Sequence, residues 1–166
     1  MSTDALLIKA KSQLTLKHPY FGMLASRLKH EVKEDIRAYA SNGVRFVYNE
    51  AFMQKRTLQE VMFILTNAVM HHILAHQQRR LNRKGSLWQL ATDYAINNLL
   101  HSSGLIIPLG ANYNEAFKGM YAEEIYEILK EEHFNGVEHE LAAFYKQYHK
   151  PIWQNSKKDT LDWLCI

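Results

Sequence analysis

The chain has 166 residues, with 20 Lys and Arg against 17 Asp and Glu, and hydrophobic residues make up 47% of it. This composition is typical of a folded globular protein and excludes an intrinsically disordered chain. The net charge of +3 is too small to indicate, by itself, a protein of nucleic acids or membrane surfaces. The length predicts a single domain over residues 1–166.

Cysteine content and hydropathy bear on the compartment. The single cysteine, Cys165, excludes an internal disulfide and a cysteine metal cluster, which favours a cytoplasmic protein. The first residues lack the basic and apolar segments of a secretion signal. The uncharged stretch 61–78 is interrupted by Thr, Asn and His, so it indicates a buried helix and not a membrane span.

The first elements are two helices and a hairpin. Apolar spacing predicts a helix over residues 5–17, capped by a polar residue among 2–4, and a short helix around 20–28. From Ile36 the residue types alternate, and Asn42-Gly43 then precedes a second strand-like run. This pattern predicts a β-hairpin with a type I′ turn, in which both central residues have positive φ.

A long helix follows the hairpin. Thr57 and Glu60 match a capping box that opens a helix from Leu58 to about Arg80. Apolar residues lie on almost all of its sides, so we expect it to be the central helix of the fold. Ser86 is expected to cap the next helix, from Leu87 to about Ser102.

The rest of the chain adds a loop, two helices and an apolar tail. The loop spans Gly104 to Gly119, and helices are predicted from Met120 to about Glu132 and over 137–148. The predicted fold class is α+β and mainly helical, with a β-hairpin packed on a central long helix and at least three further helices. The tail carries Trp153, Leu161, Trp163, Leu164 and Ile166.

Histidines on the central helix are the strongest chemical signal. His71, His72 and His76 lie within six residues of each other, and His is the commonest metal ligand in proteins. Zinc peptidases place His-Glu-x-x-His on such a helix, because residues four apart share a face and the Glu activates metal-bound water. Here Asn67 and Ala68 stand at the first His and the Glu positions.

Helix geometry leaves two interpretations of the histidines open. His72 and His76 are four apart and form the best local chelating pair on a regular helix, although both also fit as hydrogen-bonded core residues. His71 and His76 are five apart, so they share an ion only if the helix bends or ends between them. Ala75 offers no sequence reason for such a break.

The ordered series of motifs resembles the zincin-like metallopeptidase domain family whose members precede a von Willebrand factor A-like domain in many bacterial proteins. The likeness covers about residues 14–132 and leaves a C-terminal helix and the apolar tail in 133–166. It implies a minimal zincin-like fold. The motifs are His18-Pro19-Tyr20-Phe21-Gly22, Val47-Tyr48-Asn49, the histidine helix, Trp88, Ala91-Thr92-Asp93-Tyr94-Ala95-Ile96-Asn97 and Ala122-Glu123-Glu124-Ile125-Tyr126.

The resemblance implies roles for individual positions. His71 matches the second histidine of the family motif, His76 a later helical histidine, and Asp93 a further metal ligand. The family's first ligand and its catalytic Glu fall on Asn67 and Ala68, so the motif is degenerate. An amide oxygen is a much poorer zinc ligand than imidazole, and a methyl group cannot accept a proton from water.

These departures favour a catalytically inactive metallopeptidase-like domain that acts as a protein-binding module or scaffold, with an edge strand from the hairpin holding the partner. No cofactor is expected, although zinc remains open. The alternative is a metal-dependent hydrolase using His71, Asp93 and His76. Without metal, we expect His71 and Asp93 to form a buried polar bridge. Asn97, four residues after Asp93, is expected either to join this network or to cap a neighbouring loop.

One concentrated basic stretch is the basis of a second alternative function, that of a nucleic-acid-associated protein. Arg79, Arg80, Arg83 and Lys84 would contact phosphate in a nucleic-acid-associated protein. A solvated helix end whose cations complement the helix dipole is the favoured interpretation. The partner prediction is therefore a protein, neither nucleic acid nor membrane, and the oligomeric state stays open.

Overall fold

A computed structural model describes residues 1–134 and the backbone of residues 164–165. The fold is α+β and mainly helical, as predicted. The helices are α1 (Thr3–Lys17), α2 (Pro19–Ser26), α3 (Glu50–Met53), α4 (Leu58–Ile73), α5 (His76–Arg79), α6 (Gly85–Ser102) and α7 (Ala122–Phe134). The strands are β1 (Lys29–Val32), β2 (Tyr39–Ser41), β3 (Arg45–Tyr48) and β4 (Leu164–Cys165).

The first two helices pack closely against each other. Ser2 caps α1 by accepting a hydrogen bond from the Ala5 N–H at 3.2 Å, and Pro19 begins α2 directly after α1 ends. A Cβ atom at Gly22 would lie 2.3 Å from the Thr15 Cα atom. Only glycine therefore permits this approach of the two helix backbones, which encloses one side of the main apolar core.

The sheet has the strand order β1-β3-β2-β4. β2 and β3 form the predicted antiparallel hairpin, and β1, which the sequence did not indicate, pairs parallel with β3. The type I′ prediction is wrong, because only Gly43 has positive φ. Asn42 instead accepts hydrogen bonds through Oδ1 from the N–H groups of Val44 and Arg45, which stabilises a three-residue connection.

Helix α4 is the central helix and lies against α1, α2, α6 and β2. Its capping box is confirmed, since Thr57 and Glu60 each bond the other's backbone N–H. The helix is buried almost continuously from Val61 to His71. The predicted extension to Arg80 is wrong: α4 ends at Ile73, and the one-turn helix α5 begins after a break.

The break is made by one residue in an unusual conformation. Ala75 adopts the left-handed region, with φ 51° and ψ 38°. The turn is held by side chains around it, since Arg79 donates to the Leu74 carbonyl at 2.8 Å and the Trp88 indole N–H donates to the His76 carbonyl at 2.7 Å. Tertiary contacts therefore override the helical pattern of the sequence.

The C-terminal part of the described chain is built on α6 and α7. Ser86 does not cap α6, because the helix begins at Gly85, two residues before the predicted start, with Lys84 at its N-cap. Leu87, Trp88, Ile125 and Leu129 belong to a second apolar cluster between the two helices. The predicted helix over 137–148 and most of the apolar tail lie outside the described residues.

Relief of the strain at Ala75 is testable. We expect Ala75→Gly to raise the free energy of unfolding by about 0.5–1 kcal/mol, because glycine occupies the left-handed region without the cost that a Cβ atom brings. Ala95→Gly inside α6 serves as the control and should lower stability by about 0.5–1 kcal/mol. Urea unfolding of both variants measures the difference, and an equal loss in both would contradict the assigned conformation.

Candidate functional site

The break after α4 brings the two more distant histidines together. His76 Nδ1 lies 3.2 Å from His71 Nδ1, and His71 Nε2 lies 3.1 Å from Asp93 Oδ1 on α6. All three side chains are buried. The predicted contact between His71 and Asp93 is thus present, and it extends into a three-residue hydrogen-bonded chain.

The proton positions in this chain follow from its partners. The His71 Nε2–H donates to the Asp93 carboxylate, which leaves His71 Nδ1 as an acceptor for the Nδ1–H of His76. Burial, reinforced by the nearby Arg79, lowers the pKa of His76 well below its ordinary value. His76 is therefore neutral at physiological pH and can fill the donor role that this assignment requires.

Three asparagines continue the polar network across the fold. Asn67 Nδ2 donates to Asn97 Oδ1 at 3.0 Å, and Asn97 Nδ2 donates to the Asn112 carbonyl at 2.8 Å. Asn112 Nδ2 in turn donates to Asp93 Oδ2 at 3.1 Å. Asn97 thus joins the network, and its bond to the Asn112 carbonyl also holds the neighbouring loop, so both of the expected roles are present. The sequence analysis did not identify Asn112, because it lies in a loop without periodicity. Its role is indicated only by its burial in the structure.

A cleft opens beside this network. It has a volume of about 510 Å³ and lies between the end of α4, the outer face of α6 and the segment before α7. His76 is the member of the hydrogen-bonded chain that contributes to its wall. The other lining residues that matter for binding are mostly apolar: Leu74, Ala95, Leu99, Met120 and Tyr121.

Comparison with known protein families finds a match between residues 2–158 and the family described as "Putative metallopeptidase domain". The match spans most of the chain. This chain belongs to that metallopeptidase domain family. No curated protein and no solved structure matches it. The family match confirms the resemblance deduced from the motifs and extends it beyond residues 14–132.

The buried part of α4 also holds Asn67 and Ala68. Asn67 and Ala68, which the resemblance described above aligns with the family's first ligand and catalytic Glu, are both fully buried. The Ala68 methyl group is part of the main apolar core, next to Leu65 and Val69 in α4. The Asn67 Oδ1 atom is buried without a hydrogen-bond partner. These two positions therefore carry no acid or base.

The remaining side chains do not fit a zinc site with three protein ligands. Catalytic zinc requires three donor atoms directed at one point. His71 instead uses one ring nitrogen toward Asp93 and the other toward His76, so its two neighbours lie at different edges of the ring. In the described part of the chain, no group of three or more His, Cys, Asp or Glu side chains is arranged to hold a metal ion.

His72 has a different environment from its neighbours. Its Nε2 lies 3.0 Å from the Ser41 carbonyl on β2, while His76 turns to His71. The predicted pairing of His72 with His76 assumed one regular helix through both residues, and α4 ends between them. The structure therefore assigns His72 a contact with the sheet.

The basic stretch makes intramolecular contacts. Arg79 forms a two-point ion pair with Glu123, at 2.9 and 2.6 Å. The hydrogen bonds from Arg79 lower the pKa of Glu123 from its ordinary value of 4.5. Arg83 lies over the rings of Trp88 and Tyr126, at 5.1 and 5.6 Å from their centroids.

The other two cations of the stretch also have partners. Arg80 donates through Nε to the Arg83 carbonyl at 3.1 Å, and Lys84 Nζ lies 3.4 Å from His133 Nε2. The stretch therefore serves to join α5, α6 and α7.

Among the described helices, none combines the length and hydrophobicity that are needed to cross a membrane.

The buried network predicts a large effect of Asp93 on stability. Asp93→Ala removes the acceptor that His71 and Asn112 share and leaves the buried His71 Nε2–H without this hydrogen bond. We expect a loss of about 2–4 kcal/mol in the free energy of unfolding. The exposed Asp35 provides the control, since Asp35→Ala should change stability by less than about 0.5 kcal/mol. Chemical denaturation measures both, and equal values would contradict a structural network.

The ion pair of Arg79 and Glu123 predicts a pH dependence. Because the pKa of Glu123 is lower in the folded state, its contribution is present above its ordinary pKa and disappears as the pH falls through the lowered value. Glu123→Gln should be less stable than wild type by about 0.5–1 kcal/mol near neutral pH, since solvent screens this partly exposed pair. The difference should vanish in acid, as measured by thermal unfolding at several pH values, and a constant difference would contradict the charge contribution.

Proposed function

We propose that this chain is a metallopeptidase-family domain that lacks peptidase activity and acts by binding a protein segment. The proposal rests on the series of hydrogen bonds from Asp93 through His71 to His76, in which both ring nitrogens of His71 have partners. The residues that the resemblance matches to metal ligands thus form hydrogen bonds with one another inside the protein.

The proposed loss of activity rests on general base chemistry as well as on metal ligation. A positioned base contributes about 10²–10⁴-fold to a hydrolytic rate. Ala68 has no ionisable group, and its burial in the apolar core disfavours any charged side chain at that position. These features support a protein in which the family scaffold has been retained for binding.

The cleft supplies a surface for this proposed role. Its volume of about 510 Å³ is of the order that ligand pockets have, and its walls are mainly apolar. Leu99 and Tyr121 on its rim are exposed to solvent. We propose that an apolar side chain of a partner protein enters this cleft. A cytoplasmic location is proposed with it, since the single cysteine gives no internal disulfide.

Metal-dependent hydrolysis is the second candidate, and one observation favours it. Asn67 Oδ1 is buried without a partner and lies one helical turn before His71. His71 Nε2 and Asp93 Oδ1 are neighbours in the same region. The nucleic-acid alternative ranks below both, because the guanidinium groups of Arg79 and Arg83 are engaged within the protein.

Restoring the motif distinguishes these candidates. We expect wild type to retain no zinc after dialysis and to leave casein intact, because His71 and Asp93 lack a third converging ligand. Asn67→His supplies the missing imidazole, and we expect this variant to bind zinc, measured by elemental analysis and by a zinc-dependent rise in melting temperature. Adding Ala68→Glu tests whether hydrolysis returns as well.

Two controls make the result specific. His71→Ala in the Asn67→His background should abolish zinc binding, whereas His72→Ala should retain it, because His72 contacts the sheet. Stoichiometric zinc in wild type that is lost in His71→Ala, together with casein cleavage, would overturn the proposal and establish the hydrolase.

A further inference from the structure

One ring nitrogen of His76 is not used by the buried network. The Asp93 carboxylate accepts the hydrogen bond from His71 Nε2, so His71 Nδ1 is an acceptor and the ring proton of His76 lies on Nδ1. The Nε2 atom of His76 therefore keeps its lone pair. Within the part of the chain that the structure describes, no group forms a hydrogen bond with this atom.

This nitrogen is available to a molecule in the cleft beside α6. Nδ1 is directed at His71, which leaves the other edge of the His76 ring for the cleft whose wall it helps to form. The residue is only 2% exposed, so the acceptor lies at the inner wall. Trp88 holds it there, because its indole N–H donates to the His76 carbonyl at 2.7 Å and its ring meets the imidazole edge-on, with centroids 6.0 Å apart.

The walls on either side of this acceptor are apolar. Leu74, Ala95, Leu99 and Met120 line the same cleft. An acceptor that becomes buried without a donor costs free energy, so a ligand that brings a donor to His76 is favoured over one that does not. The cleft therefore selects an apolar group that ends in a single hydrogen-bond donor.

A tyrosine side chain has this form. Its ring is flat and apolar, and its O–H lies at the far end of the long axis, so the donor reaches the inner wall while the ring lies between the apolar walls. Phenylalanine has the ring without a donor, and the indole N–H of tryptophan lies at the side of its ring system. The volume of about 510 Å³ is ample for one such ring and the backbone that carries it.

The charge of the cleft indicates what flanks the aromatic ring. Among the described residues that line it, Arg79 and Lys118 are cationic and none is acidic. Arg79 is neutralised by its two hydrogen bonds to Glu123, whereas Lys118 is exposed and forms no ion pair with the described residues. An exposed ammonium group beside an apolar cleft is complementary to a carboxylate on the partner.

We propose that the cleft binds a tyrosine of a partner protein, with the phenol O–H donated to His76 Nε2 and a neighbouring carboxylate of the partner placed beside Lys118. The inference rests on the proposed binding function and specifies the side chain that enters the cleft. Asp93 and His71 act as positioning residues, because they fix which nitrogen of His76 accepts the hydrogen bond. The buried network thus sets the specificity of the cleft.

The test compares two peptides on the unchanged full-length protein. N-acetyl-Asp-Tyr-amide and N-acetyl-Asp-Phe-amide differ by one hydroxyl group. We expect the tyrosine peptide to bind about tenfold more tightly, measured by NMR titration of isotopically labelled protein with shifts at Leu99 and Met120. Nitrogen spectra of the histidine rings should show His76 protonated at Nδ1, and the tyrosine peptide should move its Nε2 resonance further than the phenylalanine peptide does.

Two variants, each with a matched control, separate the two contacts. His76→Phe removes the acceptor but keeps a ring, so it should bind both peptides equally, whereas His133→Phe at an exposed position of α7 should keep the tenfold preference. Lys118→Gln should weaken binding of the Asp-Tyr peptide about two- to fivefold and leave N-acetyl-Asn-Tyr-amide unaffected. Lys130→Gln, on the exposed side of α7, should change neither affinity.

The outcomes distinguish this inference from the proposed function. Equal binding of the tyrosine and phenylalanine peptides at the cleft of wild type, or a His76 ring protonated at Nε2, would overturn the inference and leave the proposed binding function in place. Equal binding of the Asp-Tyr and Asn-Tyr peptides would overturn the assigned role of Lys118. Absence of binding by every peptide would overturn the inference, and cleavage of a peptide would contradict the proposed lack of peptidase activity.

Discussion

The buried carboxylate of Asp93 is the constraint on which the arrangement of the helices depends. A charged or polar group in the protein interior is tolerated only when hydrogen bonds replace the water that it has lost. Asp93 obtains one donor from His71 on α4 and another from Asn112 in the loop after α6. These hydrogen bonds thereby fix the relative positions of α4, α6 and the loop after α6.

The same network explains why α4 ends where it does. A regular helix would direct His76 away from His71, since five residues correspond to about 140° around the axis. The left-handed conformation of Ala75 costs about 1–2 kcal/mol, and the hydrogen bonds of Arg79 and Trp88 around the turn offset it. Because of this break, the neutral His76 side chain completes the three-residue hydrogen-bonded chain and forms part of the cleft wall.

Neighbouring histidines on α4 connect it to different parts of the fold. His71 bonds toward α6, and His72, about 100° further around the helix, bonds the Ser41 carbonyl on β2. Helix α4 therefore supports both the cleft and the sheet in this chain. A helix fixed on both sides suits a binding surface, because a rigid surface loses little entropy when a partner binds.

Much of the fold could be predicted from local sequence patterns. The capping box at Thr57 and Glu60 and the hairpin between β2 and β3 were correctly predicted, because each depends on residues close in sequence. The burial of α4 could likewise be predicted, since a helix that is apolar on almost all sides has to be surrounded by protein. The contact of His71 with Asp93 also followed, because a buried acid between apolar neighbours needs a donor.

The features that the sequence could not indicate all depend on distant contacts. Nothing around Ala75 predicts a break, since its cost is offset by Arg79 and by Trp88 on the next helix. Asn112 and β1 carry no periodic signal, and the pairing of Ser41 with Leu164 joins segments far apart in the chain. The sequence alone determined the family and the mainly helical fold class, because these follow from local patterns of residue types. Only the tertiary structure decided which polar groups meet, because hydrogen bonds between distant segments form only after the core has brought them together.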